Sequence, residues 1–189
     1  HDDDRPWGHC CQEVVMFGGA NDTGFLGDTW IAAGTRNTFV RMKPTTSPSP
    51  RNGHRLAYDR LRKTMVLFGG RDASRFLNDT WLWDGTNWRK AQPATSPTPR
   101  AFYGLAFDDP SGDIFLVGGE GDSGSLTDTG RWNGSNWTSV PSGNVLPDED
   151  AVLFLSSVGC ILVQSRGRQA RWSEGSQNWQ TLGVVAPSW

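Results

Sequence analysis

The chain has 189 residues, enough for one compact domain that buries about 70% of the surface its unfolded form exposes. Its net charge of -2 argues against a dedicated nucleic-acid binder, because such proteins usually carry a basic face. No stretch approaches the roughly 18 consecutive apolar residues of a transmembrane helix, so no membrane-spanning segment is predicted.

The first predicted elements belong to an incomplete repeat. Val14–Phe17 is an apolar run followed by two glycines, and Asp28–Ile31 and Thr38–Arg41 predict two further strands. Arg5–His9 resembles the start of the next repeat, Arg51–His54, but the hairpin that should follow it is shortened. The chain starts without Met or a signal peptide, which favours a mature, processed or excised segment.

The second repeat, Arg51–Pro99, is the complete one. Its four apolar runs, each followed by turn residues, predict four strands within Arg51–Asp59, Thr64–Phe68, Asn78–Asp84 and Asn87–Arg89. The second run is continuously apolar, as in a strand buried on both faces, and it ends in a glycine pair. Asp84 and Gly85, between two Trp-bearing runs, predict a hairpin turn.

The same unit returns at a fixed spacing. Four landmarks recur 49 positions later: Arg51 at Arg100, Gly69 at Gly118, Asp79 at Asp128 and Trp88 at Trp137. The third repeat departs at Gly130, where the first two have Trp30 and Trp81. A more eroded fourth repeat supplies apolar runs at 151–155, 159–163, 170–173 and 178–182. A period of about 50 with four strands per repeat is typical of propeller blades.

Paired glycines after apolar runs, followed by Asp-Thr and one or more Trp, make the chain resemble the kelch-repeat family. The pairs are Gly18-Gly19, Gly69-Gly70 and Gly118-Gly119, and the resemblance covers nearly the whole chain. It implies an all-β fold, a single propeller domain over residues 1–189 with four four-stranded antiparallel blades at about 5–43, 51–92, 100–141 and 148–183. Family members usually carry about five to seven blades, so two alternatives stay open: part of a larger propeller, or blades completed by another chain.

The three cysteines predict a closure of the ring. Cys10 and Cys11 lie at the start of the first blade and Cys160 lies in the last, and these blades would be neighbours. A disulfide from Cys160 to either partner closes a loop of about 150 residues, worth roughly 5 kcal/mol in the chain-entropy model. A bond between Cys10 and Cys11 is less favourable because adjacent Cα atoms lie too close. Three buried free thiols are the alternative.

Topology predicts where a binding surface would lie. In a four-stranded blade, the loop after the second strand and the connector to the next blade emerge on the same face. That face gathers loops 20–27, 71–77 and 120–126 together with the Pro-rich connectors, and variable loops on a repeated scaffold often bind partners. The charged residues expected together there are Arg71, Asp72, Arg75, Glu120 and Asp122. A merely solvated face is the alternative.

The tryptophans are expected to pack between blades rather than to stack on sugars, because large rings at repeated offsets fill the space between twisted sheets. This expectation covers Trp81, Trp83, Trp88, Trp132, Trp137, Trp172 and Trp179. Trp7 and Trp189 fall outside the repeat frame and are freer to be exposed.

No catalytic residue, metal site or cofactor is predicted. The three His and two Tyr are scattered, and the Tyr/His copper site of kelch-like oxidases has no counterpart. His9 and His54 share a repeat position, which favours a structural hydrogen bond over catalysis. Asp28, Asp79 and Asp128 each precede Thr and are expected to bond backbone groups where a strand begins.

Four asparagines, Asn21, Asn78, Asn133 and Asn136, match the glycosylation pattern and, with the cysteines, favour an extracellular or cell-surface location. The resulting interpretation is a non-catalytic module that binds a protein partner or assembles with its own kind, for example in a surface assembly or filament. The alternatives are a carbohydrate-binding, lectin-like propeller and a kelch-type enzyme, an oxidase or isomerase.

Overall fold

The computed structural model describes residues 14–32, 38–141, 152–155, 161–165, 168–173, 176 and 178–184, and within these ranges all regular structure is β. No helix that is long and apolar enough to cross a membrane occurs in this described part. The strands form four sheets of three or four antiparallel strands, one per sequence repeat, and one short hairpin.

Sheet 1 contains β1 (Val14–Asn21), β2 (Gly24–Ala32) and β3 (Phe39–Arg41), in that order. Its first two strands run further than the apolar pattern predicts. The register shifts between Phe17 and Gly19, and this bulge lets the hairpin continue to a tight turn after Asn21. The first and last residues of the predicted loop 20–27 therefore belong to paired strands.

Sheet 2 is the complete repeat, with strands in chain order. It contains β4 (Arg55–Asp59), β5 (Thr64–Phe68), β6 (Thr80–Trp83) and β7 (Trp88–Lys90). Every side chain of β6 is buried, as is the second half of β5. The prediction of four strands with an interior second strand is confirmed.

Sheets 3 and 4 repeat this plan. Sheet 3 contains β8 (Gly104–Asp108), β9 (Asp113–Val117), β12 (Thr129–Trp132) and β13 (Trp137–Val140). A small hairpin, β10 (Glu120–Gly121) and β11 (Gly124–Ser125), occupies the loop after its second strand. Sheet 4 contains β14 (Val152–Leu155), β15 (Ile161–Ser165), β16 (Arg168–Ser173) and β17 (Asn178–Val184), close to the predicted runs.

The core lies between neighbouring sheets and is mainly aromatic. At each junction a Phe from one sheet packs edge to face against a fourth-strand Trp of the next sheet. The ring centroids are 5.4 Å apart for Phe17 and Trp88, 5.0 Å for Phe68 and Trp137 and 6.5 Å for Phe115 and Trp179. The predicted packing role is confirmed, because all seven Trp are buried: Trp81, Trp83, Trp88, Trp132, Trp137, Trp172 and Trp179.

The same Trp residues also tie the sheets by hydrogen bonds. The indole nitrogen donates to a Thr hydroxyl of the preceding sheet, at 2.9 Å from Trp88 to Thr29 within β2 and at 2.9 Å from Trp137 to Thr80 at the start of β6. A third bond, at 3.3 Å, joins Trp179 to Thr129. Each junction therefore satisfies the one polar group that its buried indole carries.

The first strands of sheets 2, 3 and 4 lie side by side, since β4 packs beside β8 and β8 beside β14. This places them as inner strands, with the Trp-bearing fourth strands outermost. The single domain, the closed ring and the number of blades stay predictions. Cys10, Cys11 and Cys160, and with them the predicted disulfide, lie outside the described residues, as do His9, Trp7 and Trp189.

Candidate functional site

The loops that follow each second strand lie against the connectors between sheets, as the topology predicts. Arg51 N donates to Leu26 O at 3.0 Å, and Arg100 N donates to Leu77 O at 3.0 Å. Asn78 Nδ2 reaches Pro97 O at 3.4 Å. We call this surface, formed by loops 20–27, 71–77 and 120–126 and by connectors 43–50 and 92–102, the connector face.

Beneath the connector face lies a buried arginine in each of sheets 2 and 3. The Arg51 side chain is 1% exposed and binds Asp79 through two parallel bonds of 2.6 and 3.0 Å. It also donates to Gly69 O at 3.0 Å and, through Nε, to Ser49 O at 3.0 Å. One guanidinium thus fixes the connector, the glycine pair and the start of the third strand.

Sheet 3 reproduces this clamp. Arg100 binds Asp128 through two bonds of 2.8 Å, and it donates to Gly118 O at 2.9 Å and Thr98 O at 3.0 Å. The expectation that these aspartates bond backbone groups is therefore wrong: they accept hydrogen bonds from arginine side chains. Bidentate charge-assisted bonds of this kind are among the strongest available to a carboxylate.

The arginine clamp also sets the charge state of its carboxylate. Burial alone raises the pKa of Asp79, but the hydrogen bonds and positive charge of Arg51 outweigh burial, so the pKa lies below its ordinary value. Asp79 is therefore held as the anion that the guanidinium requires.

The glycine pairs allow this close approach between sheets. Gly69 has φ +51°, and a Cβ there would lie 2.8 Å from Arg100 O and 2.9 Å from Leu77 O. The next residue, Gly70, donates from N to Arg100 O at 2.8 Å. Glycine is required here for both its backbone conformation and its lack of a side chain.

His54 and Tyr103 occupy the same repeat position, 49 residues apart, and both join neighbouring sheets. The buried His54 ring lies 5.6 Å from the Phe17 ring, and its Nδ1 is buried without a hydrogen-bond partner among the described residues. Tyr103 packs on Phe68 at 5.8 Å, donates its hydroxyl to Phe68 O and accepts from Arg55 N at 3.1 Å. Burial and the ring contact with Phe17 fit the structural role predicted for His54, and the hydrogen bond expected there stays a prediction.

Both groups are held neutral by this environment. Burial, assisted by the charge of Arg51, lowers the pKa of His54 from 6.5 to about 4. Burial likewise raises the pKa of Tyr103 far above its ordinary value. No group of three or more His, Cys, Asp or Glu suited to a metal ion occurs among the described residues.

The five predicted binding residues lie on the connector face, but on two separate loops. Asp72 accepts hydrogen bonds from Ser74 N, Ser74 Oγ and Arg75 N at 2.8, 2.9 and 3.0 Å, so its carboxylate stabilises its own turn and has a lowered pKa. Arg75 extends outward, its Nε 4.0 Å from Asp72.

The acidic pair belongs to the next loop. Glu120 exchanges two backbone bonds of 2.9 Å with Ala101, and Asp122 lies in the turn of the β10–β11 hairpin. In the described part of the chain no hydrogen bond or ion pair joins these residues to Arg71, Asp72 or Arg75. The five charges share a face but do not form one cluster.

Arg71 instead packs on an aromatic residue that the charge pattern did not indicate. Its guanidinium lies 5.6 Å from the centre of the Phe102 ring, and its Nε donates to Asn52 Oδ1 at 3.3 Å. Phe102 is 41% exposed and its N donates to Gly53 O at 2.8 Å. An Arg and an exposed Phe from adjacent sheets thus meet beside the inner strands.

Phe102 holds an unusual backbone conformation. Its φ is +57°, close to the +66° of Gly53, which occupies the same position 49 residues earlier. A non-glycine residue in this region carries a cost of roughly 1–2 kcal/mol. The repeat offset alone could have indicated this residue, because it places a large ring where the previous repeat has glycine.

The asparagines of the glycosylation pattern have structural partners. Asn21 Oδ1 accepts from Thr23 N at 2.9 Å, and Asn133 Oδ1 accepts from Ser135 N at 3.0 Å, both within turns. Asn136 Oδ1 accepts from Thr95 N at 2.9 Å, and Asn78 bonds the connector as described above. Each of these asparagines therefore has a structural role in a turn or at a connector, and their glycosylation stays a prediction.

Comparison with known proteins supports the repeat assignment. The family model described as the KLHDC2/KLHL20/DRC7 Kelch-repeats domain matches residues 8–159, which include the three glycine pairs and both arginine clamps. No curated protein matches the sequence significantly.

Proposed function

Because the chain belongs to the kelch-repeat family, whose repeats generally mediate protein–protein interaction, we propose that it is a non-catalytic module that binds a protein partner through its connector face. Domains of this family are typically interaction scaffolds without catalytic activity. The proposal adds to this family property a specific surface and a specific pair of contact residues.

The observation that carries the proposal is the pair of Arg71 and Phe102. Aromatic residues and Arg are enriched at the energetic centres of protein interfaces. The Phe102 ring is exposed although its backbone conformation carries a cost, and strain of this kind concentrates at functional positions. A ring that only filled space would lie inside the sheet junctions, as the seven buried Trp do.

The surroundings of this pair are rigid. Arg51 and Arg100 lie beneath the two flanking loops, and each fixes a connector, a glycine pair and a strand start through five or more bonds. A surface that is already ordered loses little conformational entropy on binding, which favours affinity. Variable loops on such a scaffold fit a recognition role.

The other candidate functions receive less support. The seven buried Trp have no ring face available to a sugar, which weakens the carbohydrate-binding alternative. His54 and Tyr103 are buried between sheets, and Tyr103 is bonded to Phe68 O, which weakens the oxidase alternative. The extracellular location, glycosylation and assembly with other copies are part of the proposal. The mass of the native protein, with and without reductant, tests glycosylation and assembly.

Capture of partners by the purified chain, using extracts of its source, tests the connector face. We expect Phe102→Gly to lose partners that the wild-type chain retains, because glycine at this position keeps the backbone conformation and removes only the ring. The matched control is Leu61→Ser, which changes a residue that is 66% exposed in the turn between β4 and β5, at the opposite end of the sheet. Equal capture by all three proteins would refute the connector face as the binding surface.

A further inference from the structure

A cavity of about 430 Å³ opens in sheet 3 beside the connector to sheet 2. Its lining includes Pro97, Asp128, Gly130, Asn136 and Trp137. Its size lies within the range of about 300–1,000 Å³ common for ligand pockets, and its walls combine apolar rings with a carboxylate and hydroxyl groups.

The two preceding repeats show what normally fills this space. Trp81, 49 positions before Gly130, is buried and donates its indole N–H to Asp79 Oδ2 at 2.7 Å. Trp30 makes the same bond to Asp28 Oδ2, also at 2.7 Å. In the third repeat glycine replaces the Trp, while the aspartate remains as Asp128.

The rest of the site keeps its geometry. Thr95 N donates to Asn136 Oδ1 at 2.9 Å, as Thr46 N donates to Asn87 Oδ1 at 3.0 Å one repeat earlier. The arginine clamp is likewise the same in both repeats. The third repeat has therefore retained the frame of an indole site without its indole.

Two surfaces that a Trp would cover are consequently open to solvent. The side chain of Asp128 is 48% exposed, whereas that of Asp79 is 16% exposed. Pro97 is half-buried, whereas Pro48, its counterpart, is buried. Asp79 Oδ2 accepts bonds from both Arg51 and Trp81, while Asp128 Oδ2 accepts from Arg100, so one lone pair has no indole to bind.

We propose that this cavity, which we call the Gly130 cavity, receives the indole side chain of a Trp from a partner protein. The ring would lie in the cavity against Pro97 and the edge of Trp137. Both stand 3.3 Å from where a Cβ on Gly130 would be, so they would have to move apart slightly to admit the ring over Gly130. The indole N–H would donate to Asp128. Because Arg100 already neutralises Asp128, the site favours a neutral N–H donor over a second cation.

The proposal rests on the proposed function, since it names a side chain that the partner would present. Connector residues Thr95, Ser96 and Pro97 form one wall, so a protein docked on the connector face has direct access to the cavity. An aromatic anchor in such a pocket is a common source of binding energy at interfaces.

The test uses 3-methylindole, which reproduces the Trp side chain, titrated into the full chain and followed by NMR. We expect shifts at the amides of Thr95, Gly130 and Ser139. The matched control is 1,3-dimethylindole, which lacks the N–H donor and should bind about tenfold more weakly or worse, because it cannot make the bond to the carboxylate. Absence of shifts at these amides, or equal binding of both compounds, overturns the proposal.

Two variants locate the site independently. Gly130→Trp fills the cavity from within the chain and should abolish binding of 3-methylindole. Trp81→Gly should open a second cavity beside Asp79, and 3-methylindole should then raise the Tm of this variant more than that of the wild type. Unchanged binding of 3-methylindole by a folded Gly130→Trp variant contradicts the proposal. If that variant does not fold, the amide shifts of the wild-type chain decide whether the proposal holds.

These results separate the cavity from the proposed function. If 3-methylindole binds as expected but Phe102→Gly captures the same partners as the wild type, the role of Phe102 in partner binding fails and the indole site in the cavity stands. If 3-methylindole does not bind while Phe102→Gly loses its partners, the cavity proposal fails alone.

Discussion

Sheets 2 and 3 are built on one plan, and their differences are concentrated at the connector face. Both have four strands in the same order, a buried arginine clamp and an indole bond to the preceding sheet. They differ where Phe102 replaces Gly53 and where Gly130 replaces Trp81. One change exposes a ring and the other removes one, so the third repeat has kept its framework and altered its surface.

The comparison teaches which residues hold the fold and which are available for recognition. Residues that recur at the 49-residue offset are buried and bonded, such as Arg51 and Arg100. Phe102, which replaces Gly53, is 41% exposed, and Gly130, which replaces Trp81, lines an open cavity. Three predictions test this division, from the largest expected effect to the smallest.

Removing an arginine clamp should have the largest effect. We expect Arg51→Met to lower the free energy of unfolding by about 3–5 kcal/mol, because it leaves a buried carboxylate without its partner. Arg100→Met should cost less, since Asp128 is 48% exposed and Asp79 only 16%. Urea denaturation measures both.

The control for this prediction is Arg60→Met, which breaks an exposed pair with Asp109 and should change stability by no more than about 0.5 kcal/mol. An equal cost for Arg51→Met and Arg60→Met would show that the clamp does not hold the sheet.

Acid should weaken the junction of sheets 1 and 2. His54 has a pKa of about 4 in the folded chain against 6.5 when unfolded, so the unfolded state binds more protons between these values. Stability is fully present above pH 6.5 and is lost as the pH falls toward 4, by up to about 3 kcal/mol. The measurement is the urea midpoint at a series of pH values.

Sheet 3 provides the contrast for the acid effect, because Tyr103 occupies the same position and stays neutral throughout this range. His54→Gln should therefore flatten the profile between pH 6.5 and 4.5. Protonation of Asp79, which would weaken its pairing with Arg51, belongs to lower pH, since its pKa is lowered. A profile as steep in His54→Gln as in the wild type would rule out His54 as the source.

Relieving the strained backbone should have the smallest effect. We expect Phe102→Gly to raise the free energy of unfolding by about 0.5 kcal/mol, because roughly 1–2 kcal/mol of strain is released and roughly 0.4–1 kcal/mol of chain entropy offsets it. Gly53→Ala, the matched change one repeat earlier, should instead destabilise, since its φ is +66° and a Cβ would lie 2.9 Å from Ala101 Cβ. Destabilisation of both variants to the same extent would argue against strain at Phe102.

The fold could be predicted from the sequence because its determinants are local and recur. Alternating and continuous apolar runs located all four strands of sheet 2, and the offset transferred them to sheet 3. The prediction for the first repeat was less accurate, because the pairing of β1 with β2 continues past Gly18 and Gly19 through a bulge that no apolar pattern indicates.

The site could be predicted only in outline. The topology placed the loops and connectors on one face, but the course of each loop depends on its own turn, such as the bonds that Asp72 makes to Ser74. Pairing of Arg51 with Asp79 joins residues 28 positions apart, and strand patterns contain no information about such contacts. Aligning the repeats would have identified Phe102 as unusual, because Gly53 occupies the same position in the previous repeat.

The indole bonds between sheets have a polarity that constrains how the molecule opens. Each runs from a later sheet back to an earlier one, so the series needs a Trp donor in every fourth strand. Phe39 holds that position in sheet 1, where it is 43% exposed and has no side-chain N–H to donate. Any ring closed through sheet 1 therefore has one junction between sheets without this hydrogen bond. We expect the sheets to separate first at that junction on heating or under mechanical force.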